Sequence, residues 1–338
     1  MSPRVSVLLP VHDAEETLAA SLETVARQTL EDHEVVLVLN GCSDRSPAVA
    51  QRYADRDPRV RVLTLESANL VSALNYGLES CRATLVARHD ADDLMEPQRL
   101  SLQVSALEAN PQWDVVTCGV RCSGIGGHEP GAGMLRCVQW LNGLGSPEAI
   151  RQARFIDAPV VHPAVMFRRD VVVSVSGYRD GDFPEDHDLW LRLLERGTIF
   201  GRIPEVLVDW RDRADRFTRT DPRCRDDARR ALVHRHLLSG PLKGGRRCRI
   251  WGAGPYGRRH ARDLHALSGL VDDLIDIDPK KIGRQVAGGL PVVGSDSVVE
   301  PDGRLILIGV ASPGARQKIE GFLTERGHQS ERDYLALQ

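Results

Sequence analysis

The sequence predicts an α/β chain built on a mostly parallel sheet with helices on both faces, followed by a second, smaller α/β unit. Three observations predict it. Short apolar runs alternate with helix-patterned segments through the first 117 residues, which implies parallel strands joined by crossover helices. The length of 338 residues is too great for one typical domain and enough for two with cores of their own. After residue 247 the alternation restarts around a glycine-rich turn set between a strand pattern and a helix pattern.

In chain order, residues 5–9 form the first strand. Asp13 is placed to cap the next helix, with Glu16 completing a capping box. Residues 34–39 are a second buried strand, closed by the turn Asn40-Gly41-Cys42-Ser43-Asp44. Helix, strand and helix follow over 47–54, 60–65 and 70–79, then a strand over 84–88 and a helix over 96–109. Eight glycines crowd residues 118–145 and predict a long loop or irregular insertion, either functional or a tolerated surface excursion. Order resumes with the apolar run 160–167. A helix follows over 185–195, with Leu189, Trp190, Leu193 and Leu194 on its apolar side, and then a strand over 206–210.

From Arg223 to Arg249 the chain turns basic, helical at first and linker-like after Ser239-Gly240-Pro241. This segment has three readings: a solvated helix face, a contact with anionic lipid headgroups, or a cover for a diphosphate. The domain limits expected are 1–220, a basic helix and linker over 221–246, and 247–338.

Bulk properties exclude several classes. A net charge of −3 gives no global electrostatic case for nucleic acid. No window approaches the ~20 apolar residues of a membrane span. Met1-Ser2-Pro3-Arg4 leads straight into a strand without a signal-peptide layout. Seven cysteines include no CxxC pair, and Cys118 and Cys122 lack a second pair to complete a zinc site. Reduced thiols in a cytoplasmic protein are the economical reading, with peripheral contact at the inner membrane face through 223–249 as an addition.

The chemistry concentrates at His89-Asp90-Ala91-Asp92-Asp93, where three carboxylates within four positions follow an apolar run. Carboxylates so close repel one another unless a cation sits among them, and hard oxygen ligands suit Mg²⁺ or Mn²⁺. The alternative is a solvated acidic turn with Asp93 capping the next helix. A second acidic pair, Glu185-Asp186, opens a helix, as a general base or simply as charges that complement the helix dipole.

Several segments have a recognisable order: Val5-Ser6-Val7-Leu8-Leu9-Pro10-Val11, Glu34-Val35-Val36-Leu37-Val38 with its turn, and Ala87-Arg88-His89-Asp90-Ala91-Asp92-Asp93 with Pro97-Gln98-Arg99-Leu100. His162-Pro163-Ala164-Val165-Met166-Phe167-Arg168 follows, then Gly177-Tyr178 and Glu185-Asp186-His187-Asp188-Leu189-Trp190-Leu191-Arg192. Together, over about residues 3–220, they resemble the family 2 glycosyltransferases, which have the GT-A fold. The resemblance implies a nucleotide-diphosphate sugar across the strand ends and an inverting displacement by an acceptor hydroxyl of a glycan, a lipid-linked or another acceptor. Asp92, Asp90 and Asp93 are then the metal residues, with Asp92 the direct ligand. Asp186 is the base, with Glu185 positioning the acceptor or the base. Pro10, His12, Asn40, Asp90 and Arg211 are the donor-binding candidates. Many relatives carry two acids where this chain has Leu39 and Asn40, so the resemblance leaves the donor nucleotide open.

In the last unit, Gly252-Ala253-Gly254-Pro255-Tyr256-Gly257 follows a strand, and Asp276 ends the next one. That spacing predicts a Rossmann-like domain. Gly252, Gly254, Gly257 and Asp276 are its cofactor candidates, set against a structural, dimerising or regulatory role that includes a homodimer. Two rival functions follow. One is an NAD(P)-linked oxidoreductase, which would need a substrate domain the chain lacks. The other is a non-catalytic sugar-nucleotide sensor.

Overall fold

The computed structural model describes residues 2–286 and 288–338. The chain divides into two compact units, Met1–Arg151 with Pro159–Cys224, and Gln152–Ala158 with Arg225–Gln338.

The first unit is built on eight strands: β1 Val5–Val11, β2 His33–Asn40, β3 Val60–Leu65, β4 Leu85–Arg88, β5 Leu94–Met95, β6 Val115–Gly124, β7 Val165–Arg168 and β8 Phe200–Asp212. Their order is β3-β2-β1-β4-β7-β6-β8-β5. β3, β2, β1 and β4 run parallel, β7 is antiparallel to both neighbours, β8 is parallel to β6, and β5 pairs antiparallel at the edge. Every residue of β1 and β2 is buried, as strands covered on both faces must be. Leu9, Leu37, Leu85 and Ala87 pack in one cluster with Leu18 and Leu22 of helix Leu18–Ala26 and Leu100 of helix Arg99–Ala109. Each fully buried leucine there contributes roughly 1.5–3 kcal/mol.

Three local expectations are corrected. Residues 118–145 are not a loop: β6 runs on to Gly124, and helix Ala132–Gly143 follows. The glycines misled because at least one serves close packing; a Cβ on Gly119 would lie 2.9 Å from the Glu205 carbonyl of the neighbouring β8. Asp13 does not cap a helix, and Glu16 completes no capping box. The Asp13 carboxylate accepts hydrogen bonds from Ser43 N–H at 2.7 Å and Asp44 N–H at 3.3 Å, and the helix begins only at Leu18. The helix expected from residue 96 starts at Arg99, because Leu94–Met95 is drawn into β5 against Val208 and Asp209.

The second unit holds β9 Cys248–Trp251, β10 Val271–Asp276, β11 Gln285–Val286, β12 Leu290–Gly294, β13 Leu305–Ile308 and β14 Tyr334–Ala336. They are ordered β11-β12-β10-β9-β13-β14, parallel except for the β11–β12 pair. The basic helix Asp226–Ser239 is part of this unit and buries Leu232, Val233 and Leu237. Two of its arginines are matched by acids of the same unit: Arg229 by Asp157 at 3.0 Å and Arg230 by Asp263 at 2.7 Å. No helix among the described residues is long and apolar enough to cross a membrane.

Candidate active site

The parallel strands β1, β2 and β4 end together, and the loops beyond them carry the acidic groups. The ladder between β1 and β4 continues one residue further through His89 N–H to the Leu8 carbonyl. The chain then turns sharply, with Asp93 N–H directed to the Asp90 carbonyl, before entering β5. This turn gathers Asp90, Asp92 and Asp93, whose nearest ligand atoms lie within 4.8 Å of one another. The end of β8 closes the turn from the other side, as Arg211 N–H donates to Asp93 Oδ1 at 2.8 Å.

The cluster is not completed by donors among the described residues. Asp93 is buried, and its Oδ2 has no hydrogen-bond partner there. Burial first, and then the charge of Asp90, push the Asp92 and Asp93 carboxyls up, Asp93 further than Asp92. A buried unpaired carboxylate oxygen among like charges is costly, and a hard divalent cation is the ligand that relieves it. The residues present therefore fit Mg²⁺ or Mn²⁺. The guanidiniums of Arg213 and Arg216 lie within electrostatic reach and favour ionised Asp92. Arg216 is held in place by stacking on Trp210, 4.3 Å from the ring centroid.

Strand geometry decides which neighbours face the cluster. Side chains alternate along a strand, so Arg88 and Asp90 project to one side and Ala87 and His89 to the other. His89 is wholly buried beside Arg99. Arg88 Nη2 pairs with Asp90 Oδ1 at 2.7 Å. The same guanidinium lies within electrostatic reach of Glu185 and Tyr178.

Glu185 and Asp186 open helix Glu185–Glu195 directly after Pro184, whose extended backbone ends the preceding loop. The helix is anchored by its apolar side: Trp190 makes edge contacts with His162 and Phe200. Asp188 pairs with Arg192 at 2.7 Å, and Arg192 donates to the carbonyls of Val175 and Gly177. These anchors fix the first turn, where Asp186 Oδ1 accepts His187 N–H at 2.7 Å. Glu185 is buried. Its carboxyl is pushed up to about 7, first by burial and next by the charge of Asp186, while Arg88 and Arg223 hold it down.

The loops after β1 and β2 interlock. His12 Nδ1 lies 2.7 Å from the Asn40 carbonyl, and Pro10 sits buried at register with Val38. Asn40 Oδ1 accepts Asn69 N–H at 2.8 Å, which fixes the orientation of its amide. Asp13, Cys42 and Asp44 also cluster, but the two carboxylates are engaged by backbone N–H groups of Ser43, Asp44, Glu15 and Ser46.

In the second unit the glycine loop has a structural explanation. A Cβ on Gly257 would fall 1.9 Å from the Gly252 carbonyl, and Gly252 itself lies at φ +121° against Gly309. Gly254 has open space around it. Asp276 Oδ2 accepts Ala253 N–H at 2.8 Å and Lys281 Nζ at 3.0 Å, and Oδ1 accepts Asp278 N–H at 2.9 Å. Both oxygens that would hold a cofactor ribose are thus engaged by the protein's own donors.

Sequence reasoning brought together Asp90, Asp92 and Asp93 and, separately, Glu185 and Asp186. It missed Arg88, Tyr178, Arg213, Arg216 and Arg223. Arg88 did leave a signal: a charged residue inside a buried strand needs a reason.

Comparison with known proteins bears on this geometry. A family model described as glycosyl transferase family 2 matches residues 6–175. The amylovoran biosynthesis glycosyltransferase AmsE of Erwinia amylovora is 36% identical over 213 residues, 62% of this chain and 77% of that protein. The O-antigen biosynthesis glycosyltransferase WbnJ of Escherichia coli is 29% identical over 213 residues, 61% and 79% of the two chains. Among solved structures, Staphylococcus aureus TarS 1-349 superposes with a TM-score of 0.55 at 16% identity, covering 72% of this chain and 67% of that one. The mannosyltransferase PcManGT of Pyrobaculum calidifontis, solved with GDP-Man and Mn²⁺, gives 0.54 at 19% identity, with 80% and 70% covered. At such identities the two structures speak for the fold alone.

Proposed function

The chain belongs to glycosyl transferase family 2, and from that premise we propose that it moves a sugar from a nucleoside-diphosphate donor to an acceptor hydroxyl with inversion at the anomeric carbon. The observation that carries this reading is a single arrangement. A carboxylate trio with a buried, unpartnered oxygen on Asp93 stands at the carboxyl end of β4, and one buried arginine paired with its Asp90 lies within electrostatic reach of a carboxylate at a helix start. The Asp186 carboxylate takes the proton of the acceptor hydroxyl. The acceptor oxygen forms its bond to the anomeric carbon from the face opposite the leaving group. The bond from that carbon to the phosphate oxygen breaks, and its electron pair leaves with the nucleoside diphosphate. One displacement inverts the centre, so an α-linked donor gives a β-linked product.

Asp92 and Asp93, with Asp90, are the residues that would hold Mn²⁺ or Mg²⁺. Such an ion supplies Lewis-acid neutralisation of the departing diphosphate. Arg213 and Arg216 add positive charge on the same side, and Arg211 holds Asp93 through its backbone N–H. The base is read by groups of the first two loops, Asn40, whose amide Asn69 holds in place, and His12 among them.

Names of relatives support an acceptor class. AmsE and WbnJ are named for amylovoran and O-antigen biosynthesis, and a third relative, 28% identical, is named as a galactosyltransferase acting on a GlcNAc-diphosphoundecaprenol. A growing surface-polysaccharide repeat, free or lipid-linked, is the acceptor class we assign. The second unit serves architecture, consistent with its parallel β12-β10-β9-β13-β14 order and its engaged Asp276. Substitution tests the whole reading. Asp92→Ala and Asp186→Ala each abolish transfer in a chain that still melts cooperatively; near-normal turnover in Asp186→Ala would remove the proposed base.

A further inference from the structure

Arg88 links the two acidic groups, and its surroundings ask for more than a link. Arg88 is 2% exposed. Of its guanidinium donors, Nη2 reaches Asp90 Oδ1, while Nε and Nη1 are sealed from solvent with no partner. A buried guanidinium with two unpaired donor atoms is expensive, and an apolar residue would fill β4 at lower cost. The groups around it are all relevant to transfer. Asp90 belongs to the donor-side cluster, Glu185 to the acceptor-side pair, and Tyr178 lies between, its hydroxyl 2.9 Å from His162 Nε2.

We propose that Arg88 is a positioning residue that couples the two halves of the transfer site by sharing one buried guanidinium between the Asp90 and Glu185 carboxylates. The proposal rests on the glycosyl-transfer reading and extends it. In this structure the guanidinium is drawn to Asp90. A divalent ion held by the trio with the donor diphosphate would give Asp90 a second, cationic partner and leave the Nε and Nη1 donors of Arg88 to serve Glu185. Ionised Glu185 is thereby favoured when a donor is in place, so that it orients the acceptor beside the base Asp186 only then. Among the described residues, the charged and titratable groups that act on Glu185 include Asp186 on its own helix, Arg88 from β4, Tyr178 from the loop before the helix, and Arg223, itself paired with Asp221 and Asp180. Of the arginines that hold Glu185 down, Arg88 also contacts the donor-side trio, through Asp90.

The test is the pH profile of kcat/KM for the full chain and for Arg88→Lys, Arg88→Gln, Glu185→Gln and Arg88→Lys/Glu185→Gln. Losing the positive charge in Arg88→Gln moves the acid limb up by about 1 pH unit, and Arg88→Lys moves it less, in the same direction. In Glu185→Gln the limb falls or vanishes, and adding Arg88→Lys moves it no further. KM rises for donor and acceptor together in the arginine variants, as sharing between both sides requires. An even loss of rate at every pH, with the limb fixed, would show that Arg88 only fills space and would overturn the proposal. Should Arg88→Gln fail to fold, Arg88→Lys with and without Glu185→Gln answers the same question. The parent protein keeps the two levels apart: if it transfers no sugar from any nucleoside-diphosphate donor, the glycosyl-transfer reading itself fails, whereas an active parent with an immobile limb in the arginine variants sinks only the role of Arg88.

Discussion

Two acidic strand ends in this molecule look alike in sequence and differ in their chemistry. At the end of β4, Asp93 is left with a buried, unpaired oxygen, and its neighbours Asp90 and Asp92 raise its cost further. At the end of β10, Asp276 has both oxygens engaged by Ala253, Asp278 and Lys281. The first arrangement is unstable without a ligand and the second is complete without one. A carboxylate left unsatisfied marks a place where something binds; a satisfied one holds loops together.

The widest gap is expected in activity. Asp92→Ala lowers transfer by on the order of 100-fold or more, and Asp186→Ala by a similar or larger factor. Asp276→Ala leaves kcat/KM within about two-fold, because no reacting group is touched. Measured side by side on one acceptor, a large loss in Asp276→Ala would break the comparison.

Stability should show the opposite pattern. Asp276→Ala strands the Ala253 and Asp278 N–H groups and costs about 1–3 kcal/mol, read as a lower Tm. Asp92→Asn, by contrast, removes like-charge crowding, so the metal-free protein melts no lower than the parent.

The acceptor side sharpens the contrast through pH. Glu185 titrates at about 7 in the folded chain against an ordinary glutamate value of 4.5. A raised folded pKa contributes stability that is fully present below 4.5 and lost as pH rises through about 7. Glu185→Gln therefore raises Tm relative to the parent at pH 8 and not at pH 4, a stabilisation of about 3 kcal/mol at full effect. An equal Tm difference at both pH values would contradict the burial of an ionisable Glu185. The smallest effect is expected from dinucleotides: NAD(H) and NADP(H) leave Tm unchanged, since Asp276 is engaged, and a saturable shift would restore the cofactor reading.

Much of this was legible in the chain. Strict alternation of apolar runs and helix patterns exposed the parallel half of the sheet, and the acids before Leu189-Trp190 marked helix Glu185–Glu195 with its observed limits. What was not legible depended on contacts between distant segments. Gly119 reads as a loop signal until β8 is seen to approach its backbone. Asp13 reads as a helix cap until Ser43 and Asp44 offer it better donors. That Asn69 N–H holds the Asn40 amide from a distant loop shows only in the fold. Arg88 carries no motif of its own; its role follows only when the strand pleat aims it at Asp90 and the Glu185–Glu195 helix docks beside it.

The most direct test of the central claim is thermal stability with Mn²⁺ and a panel of nucleoside diphosphates, UDP, GDP and dTDP, on three proteins: the parent, Asp92→Asn and Asp276→Ala. The account predicts that Mn²⁺ with one diphosphate raises the Tm of the parent and of Asp276→Ala by the same increment and leaves Asp92→Asn unmoved. An undiminished shift in Asp92→Asn, or its loss in Asp276→Ala, would place the ligand at the wrong strand end and contradict the account.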